Sequence, residues 1–111
     1  MDLMNILTGL GLPAAYGKFD TPQKPPFAVY LGAGQERIFG DNTIYSKVND
    51  YTVEYYFTKK DAAKEDALEN ALLNSGFIYE KSEDDYIEDD NIFVIYYTVW
   101  QKPGTASAAS E

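Results

Sequence analysis

The densest set of chemically competent side chains runs from Glu80 to Asp90. It holds Glu80, Glu83, Asp84, Asp85, Glu88, Asp89 and Asp90 against one base, Lys81. Carboxylates this close suggest two kinds of chemistry. Oxygen-rich runs can hold calcium, and paired carboxylates can work as general acid and base. The spacing supports neither. An EF-hand loop needs acids or amides at alternate positions and a glycine at the sixth. Counted from Asp84, Tyr86 takes the third place and Asp89 the sixth. Nothing around the run marks an apolar pocket that would shift the carboxyl pKa values. The run reads instead as a solvated turn and strand edge whose charges prevent edge-to-edge aggregation.

Other chemistries fare no better. Gly32-Ala33-Gly34 after an apolar run has the start of a dinucleotide fingerprint, but the third glycine would fall at Arg37 and no helix pattern follows. The chain has no His and no Cys, which removes a Ser–His pair, imidazole metal ligands and a disulfide framework. Ten tyrosines could stack nucleobases, yet the basic groove that would accompany them is missing. Packing in a core or an interface accounts for them better. We therefore expect no catalytic residue, no cofactor and no metal, and a protein that works through its surfaces.

Charge points the same way. Residues 1–60 carry six basic and six acidic side chains, and residues 61–111 carry three basic and twelve acidic ones. The whole net charge of −9 therefore lies in the second half. Gripping a nucleic-acid backbone needs clustered Lys and Arg, so this chain is expected to repel DNA. At 111 residues and 45% hydrophobic it suits one folded domain with a modest core. No apolar run is long enough to cross a membrane. The first residues, with Asp2 and no basic flank, do not look like a secretory signal. The absence of Cys fits a reducing cytosol.

The elements that hold these residues follow from pattern. Leu3, Ile6, Leu7 and Leu10 make one apolar stripe, so a helix is predicted over residues 2–10, with Asp2 at its start and Gly11 and Pro13 stopping it. Residues 12–25 read as a loop. A short strand is predicted over 27–31, a turn over 32–36, and further strand at 37–39 and 43–48. Tyr51, Val53, Tyr55 and Phe57 alternate with Thr52, Glu54, Tyr56 and Thr58, the period of a strand. A second helix is predicted over 62–75, capped by Asp61 and closed by Gly76. On its surface, Ala63, Ala67 and Ala71 would let it sit close to a sheet. Strands are then predicted over 77–82 and 91–100, paired as a hairpin or meander.

Both faces of the last strand are apolar: Phe93, Ile95, Tyr97 and Val99 on one, Ile92, Val94, Tyr96, Thr98 and Trp100 on the other. Such a strand is central or covered on both sides. The fold expected is α+β over residues 1–101: a mainly antiparallel sheet of about four to five strands with two helices packed on one face. Residues 102–111 are expected to be a disordered tail. The second face of the sheet is covered either by loop 12–25 or by another subunit.

Taken in order, the segments resemble a known family. Pro26-Phe27-Ala28-Val29-Tyr30-Leu31 is followed by Phe39-Gly40-Asp41-Asn42-Thr43-Ile44-Tyr45, then by Tyr51-Thr52-Val53-Glu54-Tyr55-Tyr56-Phe57-Thr58-Lys59-Lys60-Asp61. After the helix come Gly76-Phe77-Ile78-Tyr79-Glu80-Lys81, Tyr86-Ile87-Glu88 and Phe93-Val94-Ile95-Tyr96-Tyr97. This order, over about residues 1–100, resembles the small tail-terminator or head–tail joining proteins of long-tailed phages and prophages of Gram-positive bacteria. The resemblance implies a structural virion-assembly protein. It would form a ring, typically a hexamer, on the tail tube, stop tail growth and offer a docking surface to the head connector. The partners implied are further copies of itself, the tail tube protein and the connector or stopper protein, with DNA passing unbound and no membrane. The place implied is the head–tail junction of the virion, after assembly in the host cytoplasm.

Within that reading two sets of residues are candidates. Glu83, Asp84, Asp85, Glu88, Asp89 and Asp90 would line the lumen, where like charge keeps DNA from adsorbing, or would dock on a basic ring. Arg37, Tyr45, Tyr56, Tyr96 and Trp100 are candidate subunit-interface residues. The alternatives are another neck protein such as a stopper, or a small acidic intracellular binding or inhibitor module that mimics DNA. A mimic needs carboxylates spread over a broad surface, and here they are concentrated in one segment.

Overall fold

The computed structural model describes residues 2–40 and 43–101, and residues 34–49 by their backbone alone. The predicted tail, 102–111, lies outside the described residues.

Helix α1 spans Leu3–Gly9. The Asp2 carboxylate accepts from the Asn5 N–H at 2.9 Å, which satisfies one of the donors a helix start leaves open. Leu3, Ile6 and Leu7 are buried, as the stripe predicts. Gly11, at φ +81°, turns the chain out of the helix. The next segment departs from expectation. The predicted loop 12–25 contains a three-residue strand, β1 (Ala14–Tyr16), which pairs in parallel with the following strand. Three residues are too few to show a period, and the pairing is a tertiary one.

Strand β2 spans Phe27–Gly40 and β3 spans Thr43–Phe57. The predicted turn at 32–36 is not a turn. The chain stays in strand there, with a register shift between Gly32 and Gly34. Glycines that read as a turn mark a bulge instead. The predicted pieces 43–48 and 51–57 are likewise one strand. Asp41 and Asn42, in the predicted break, lie outside the described residues.

Helix α2 spans Ala62–Asn74, with the Asp61 carboxylate accepting from the Lys64 N–H. Gly76 takes φ +88° and donates to the Leu73 carbonyl, so the helix ends at the residue pattern that predicts it. Strand β4 (Phe77–Lys81), strand β5 (Asp85–Ile87), a 3₁₀ turn over Glu88–Asp90 and strand β6 (Ile92–Gln101) complete the chain. Sequence reasoning missed β5 and the 3₁₀ turn because acidic residues mask the strand period.

The result is an α+β fold with a six-stranded sheet in the order β1-β2-β3-β6-β4, β5 also pairing with β6. That is more strands than the four to five expected, the additions being the short β1 and β5. All pairings are antiparallel except β1 with β2. The last strand is central, between β3 on one side and β4 with β5 on the other. Its register puts Val53 opposite Tyr97 and Tyr55 opposite Ile95. These side chains form one buried cluster with Leu3, Ile6 and Leu7 of α1 and Leu68 and Leu72 of α2. Phe77, just after Gly76, joins the same buried cluster as Leu72. In α2 the buried residues are Glu65, Leu68 and Leu72, whereas Ala63 and Ala67 are exposed. The stripe that meets the sheet runs through 65, 68 and 72, and the first two alanines fall off it.

Candidate functional site

Three surface features stand out: an arm, an aromatic face and an acidic edge. The arm comes from the mismatch in strand lengths. β1 pairs with only Ala28–Tyr30 of β2, and β6 pairs with only Asp50–Phe57 of β3. Beyond those points, among the described residues, β2 and β3 pair with each other alone, from Gln35 opposite Asn49 to Gly40 opposite Thr43. At about 3.4 Å per residue this two-stranded ribbon extends on the order of 20 Å past the sheet. The molecule is accordingly long, 50 Å against 26 and 24 Å. Tyr16 marks the base of the arm. Its ring meets Tyr30 edge to face at 5.1 Å, and its hydroxyl accepts from the Gly32 N–H at 3.1 Å. A Cβ at Gly32 would come within 3.3 Å of that oxygen, so glycine leaves the room Tyr16 uses.

Of the candidate interface residues, Arg37 and Tyr45 lie in the arm strands, with Arg37 registered opposite Lys47. Tyr45 falls at the register shift between Ile38 and Phe39. Their side chains lie outside the described residues. Tyr56, Tyr96 and Trp100 are brought together on one face of the sheet. Their register partners are Val94, Glu54 and Asp50, and these positions share one parity of the pleat. Tyr56 stacks on Phe27 at 4.8 Å and donates to Glu54 at 2.6 Å. Burial first, and then that bond and its charge, hold the Tyr56 hydroxyl well above its ordinary pKa.

The loop account of this face holds for one end of it. Loop residues 17–23 and Phe27, Val29, Glu54, Tyr56 and Asp90 line one open cleft, and Phe19 packs edge-on against Phe27 at 5.6 Å. The loop therefore covers the Tyr56 end. At the other end Tyr96 is 37% exposed, and Trp100 and Ile78 are half-buried.

The acidic edge is the outer side of β4 and β5. Ser82 joins the two strands, donating its N–H to the Tyr96 carbonyl and accepting from the Tyr96 N–H through its hydroxyl, both at 2.9 Å. Glu83 and Asp84 sit between the strands, Asp85 opens β5, and Glu88, Asp89 and Asp90 form the 3₁₀ turn. All six are exposed. Asp84 alone of them is ion-paired among the described residues, to Lys60 at 3.0 Å. Tyr86 bonds Asn91, whose left-handed backbone (φ 53°) returns the chain into β6.

Behind this edge lies a charge network that the sequence did not reveal. Glu65, 4% exposed, receives Lys60 at 3.0 Å and Lys81 at 3.1 Å. Lys81 also reaches Glu69 at 2.7 Å, and Glu69 accepts from the hydroxyls of Tyr97 at 2.7 Å and Tyr79 at 3.2 Å. Burial pushes the Glu69 carboxyl up, but Lys81 and the Tyr97 hydroxyl together hold it below its ordinary value. The Lys81 ammonium is held well above its ordinary value by Glu69 first and then Glu65. These bonds tie α2 to β4 and β6. The acids are paired with lysines, and the pairs hold these elements together. A cleft of about 370 Å³ lined by Asp2, Tyr16, Tyr30, Tyr51 and Gln101 opens beside α1, but its one carboxylate already caps the helix. Among the described residues no group of His, Cys, Asp or Glu is arranged to hold a metal ion. No helix among them is long and apolar enough to cross a membrane.

No protein-family model matches the chain, and no curated protein matches it.

Proposed function

We propose that this protein is a structural component of a virion that associates with itself in a ring, and that it acts as a tail terminator between tail tube and head connector. The observation that carries the reading is the β2–β3 arm, which pairs with no third strand among the described residues. A two-stranded ribbon is marginally stable alone in water, so an arm of this length calls for a partner surface. The half-exposed Tyr96, Trp100 and Ile78 supply a second one. The order of segments that resembles the joining proteins adds its support. In such a ring the acids of residues 83–90 face the lumen or dock on a basic neighbour, and no residue performs catalysis.

The test is mass in solution over a concentration series by light scattering, with negative-stain microscopy of any large species. Closed rings of about six subunits are expected. A monomer at every concentration favours the small acidic binding module over a ring.

A further inference from the structure

The cleft beside α1 is walled by aromatic rings set at steep angles. Tyr16 meets Tyr30 at 88°, and Tyr30 meets Tyr51 at 64° with ring centres 6.4 Å apart. Tyr16 is 59% exposed, an open position for so large a ring. It is nevertheless held, by the edge contact with Tyr30 and by its hydroxyl on the Gly32 N–H. A ring fixed before a ligand arrives loses little freedom when one binds.

The polar groups at the cleft suit one sign of charge. Asp2 caps α1 through one carboxylate oxygen, Oδ1, and its other oxygen makes no hydrogen bond among the described residues. Burial first, and then the charge of Asp2, raise the Tyr30 hydroxyl above its ordinary pKa, so ring and carboxylate act on the same space. No Lys or Arg among the described residues lines the cleft. Aromatic faces and a carboxylate attract a cation and oppose an anion.

We propose that this cleft takes the guanidinium of an arginine side chain from a partner protein, set against the Tyr16 and Tyr30 rings and bonded to the second Asp2 oxygen. A guanidinium is flat, stacks on aromatic rings, pairs with carboxylates and is more weakly hydrated than an ammonium. The cleft, about 370 Å³, has room for one such side chain. The net charge of −9 draws basic partners toward the molecule from a distance. A single copy carries the whole site, so the inference stands apart from the ring reading.

The full chain, labelled with ¹⁵N, is titrated with a capped glycine pentapeptide bearing arginine at its centre. The amide signals of Gly32, Tyr51 and Gln101 are expected to move, with a Kd on the order of millimolar. The same peptide with citrulline, of like shape but uncharged, should leave them in place. Tetramethylammonium, a cation without N–H donors, should bind less tightly than the arginine peptide. Asp2→Asn keeps a good helix cap and removes the charge. Tyr16→Leu removes the ring. Each is expected to weaken binding about fivefold, with thermal melts showing that the variant is folded. No movement at the cleft, equal movement with citrulline, or binding indifferent to both variants overturns the inference. Tighter binding of tetramethylammonium would reassign the cleft to a free quaternary ammonium and overturn it too. Gln101 lines the cleft and Lys102 follows it in sequence. Binding seen only in Lys102→Ala would make the chain's own lysine the occupant, and the partner arginine would fall.

Discussion

Glu65 lies in the first turn of α2, where an acid is favourable simply because the helix dipole is positive there. That much is readable from the sequence. Its burial is not, because the two lysines that neutralise it come from Lys60 before the helix and Lys81 in β4. Lys81→Ala would leave Glu69 without its lysine and Glu65 with Lys60 alone. A loss of about 1–2 kcal/mol is expected, less than for a fully buried pair, because Lys81 is itself partly exposed and Lys60 still reaches Glu65. Lys18→Ala, at an exposed position, should move stability by less than about 0.5 kcal/mol. Urea denaturation of both variants checks this. Acid should act on the same network. The folded Glu69 has a lowered pKa, so its contribution is complete above the ordinary value of 4.5 and is lost as pH falls through the depressed one. Glu69→Gln should therefore flatten the acid limb of a plot of melting temperature against pH. An unchanged limb would contradict the assignment.

Elements were legible where the code is local. Asp2, Asp61 and Gly76 mark helix ends, and the structure places a side-chain cap or a positive φ at each. Gly76→Val puts a β-branched residue at φ +88° and is expected to cost about 2 kcal/mol, read as a shift in denaturation midpoint. Elements were misread where the code is not local. Gly32 and Gly34 look like a turn because glycine commonly makes one, whereas pairing with β3 holds the chain extended across them. β1 exists only because β2 lies beside it. The acidic candidates were found by composition, but the arm was not, because its two strands read as separate pieces. The arm also permits a clean excision. Replacing residues 34–49 with Asn-Gly, a two-residue hairpin turn, leaves in place every member of the buried core cluster found among the residues whose side chains are described. The melting temperature of the monomer is expected to move little while the large species disappears from light scattering.

At the scale of the whole molecule, the net negative charge gathered in residues 61–111 bears on the proposed assembly of copies. An assembly steered by unlike charges on exposed surfaces should weaken as salt screens them. The fraction of large species is expected to fall as salt rises from about 0.05 M to 0.5 M, and a rise would point instead to the apolar face. The net charge of −9 predicts no shift of duplex DNA in a gel even at low salt. The position of β6 has a different consequence, one of timing. β3 finds its inner partner only when residues 93–100 arrive, some forty residues after its own, and β4 pairs with the same strand. Synthesis therefore delivers the middle of the sheet after its flanks. Until Gln101 is free to fold, Val53, Tyr55 and Phe57 on β3 lie beside an unfilled slot. Pairing over such separations is slow, and the waiting strand is exposed to other chains. A nascent chain held short of β6 should be cut readily by protease, and one released just past it should resist.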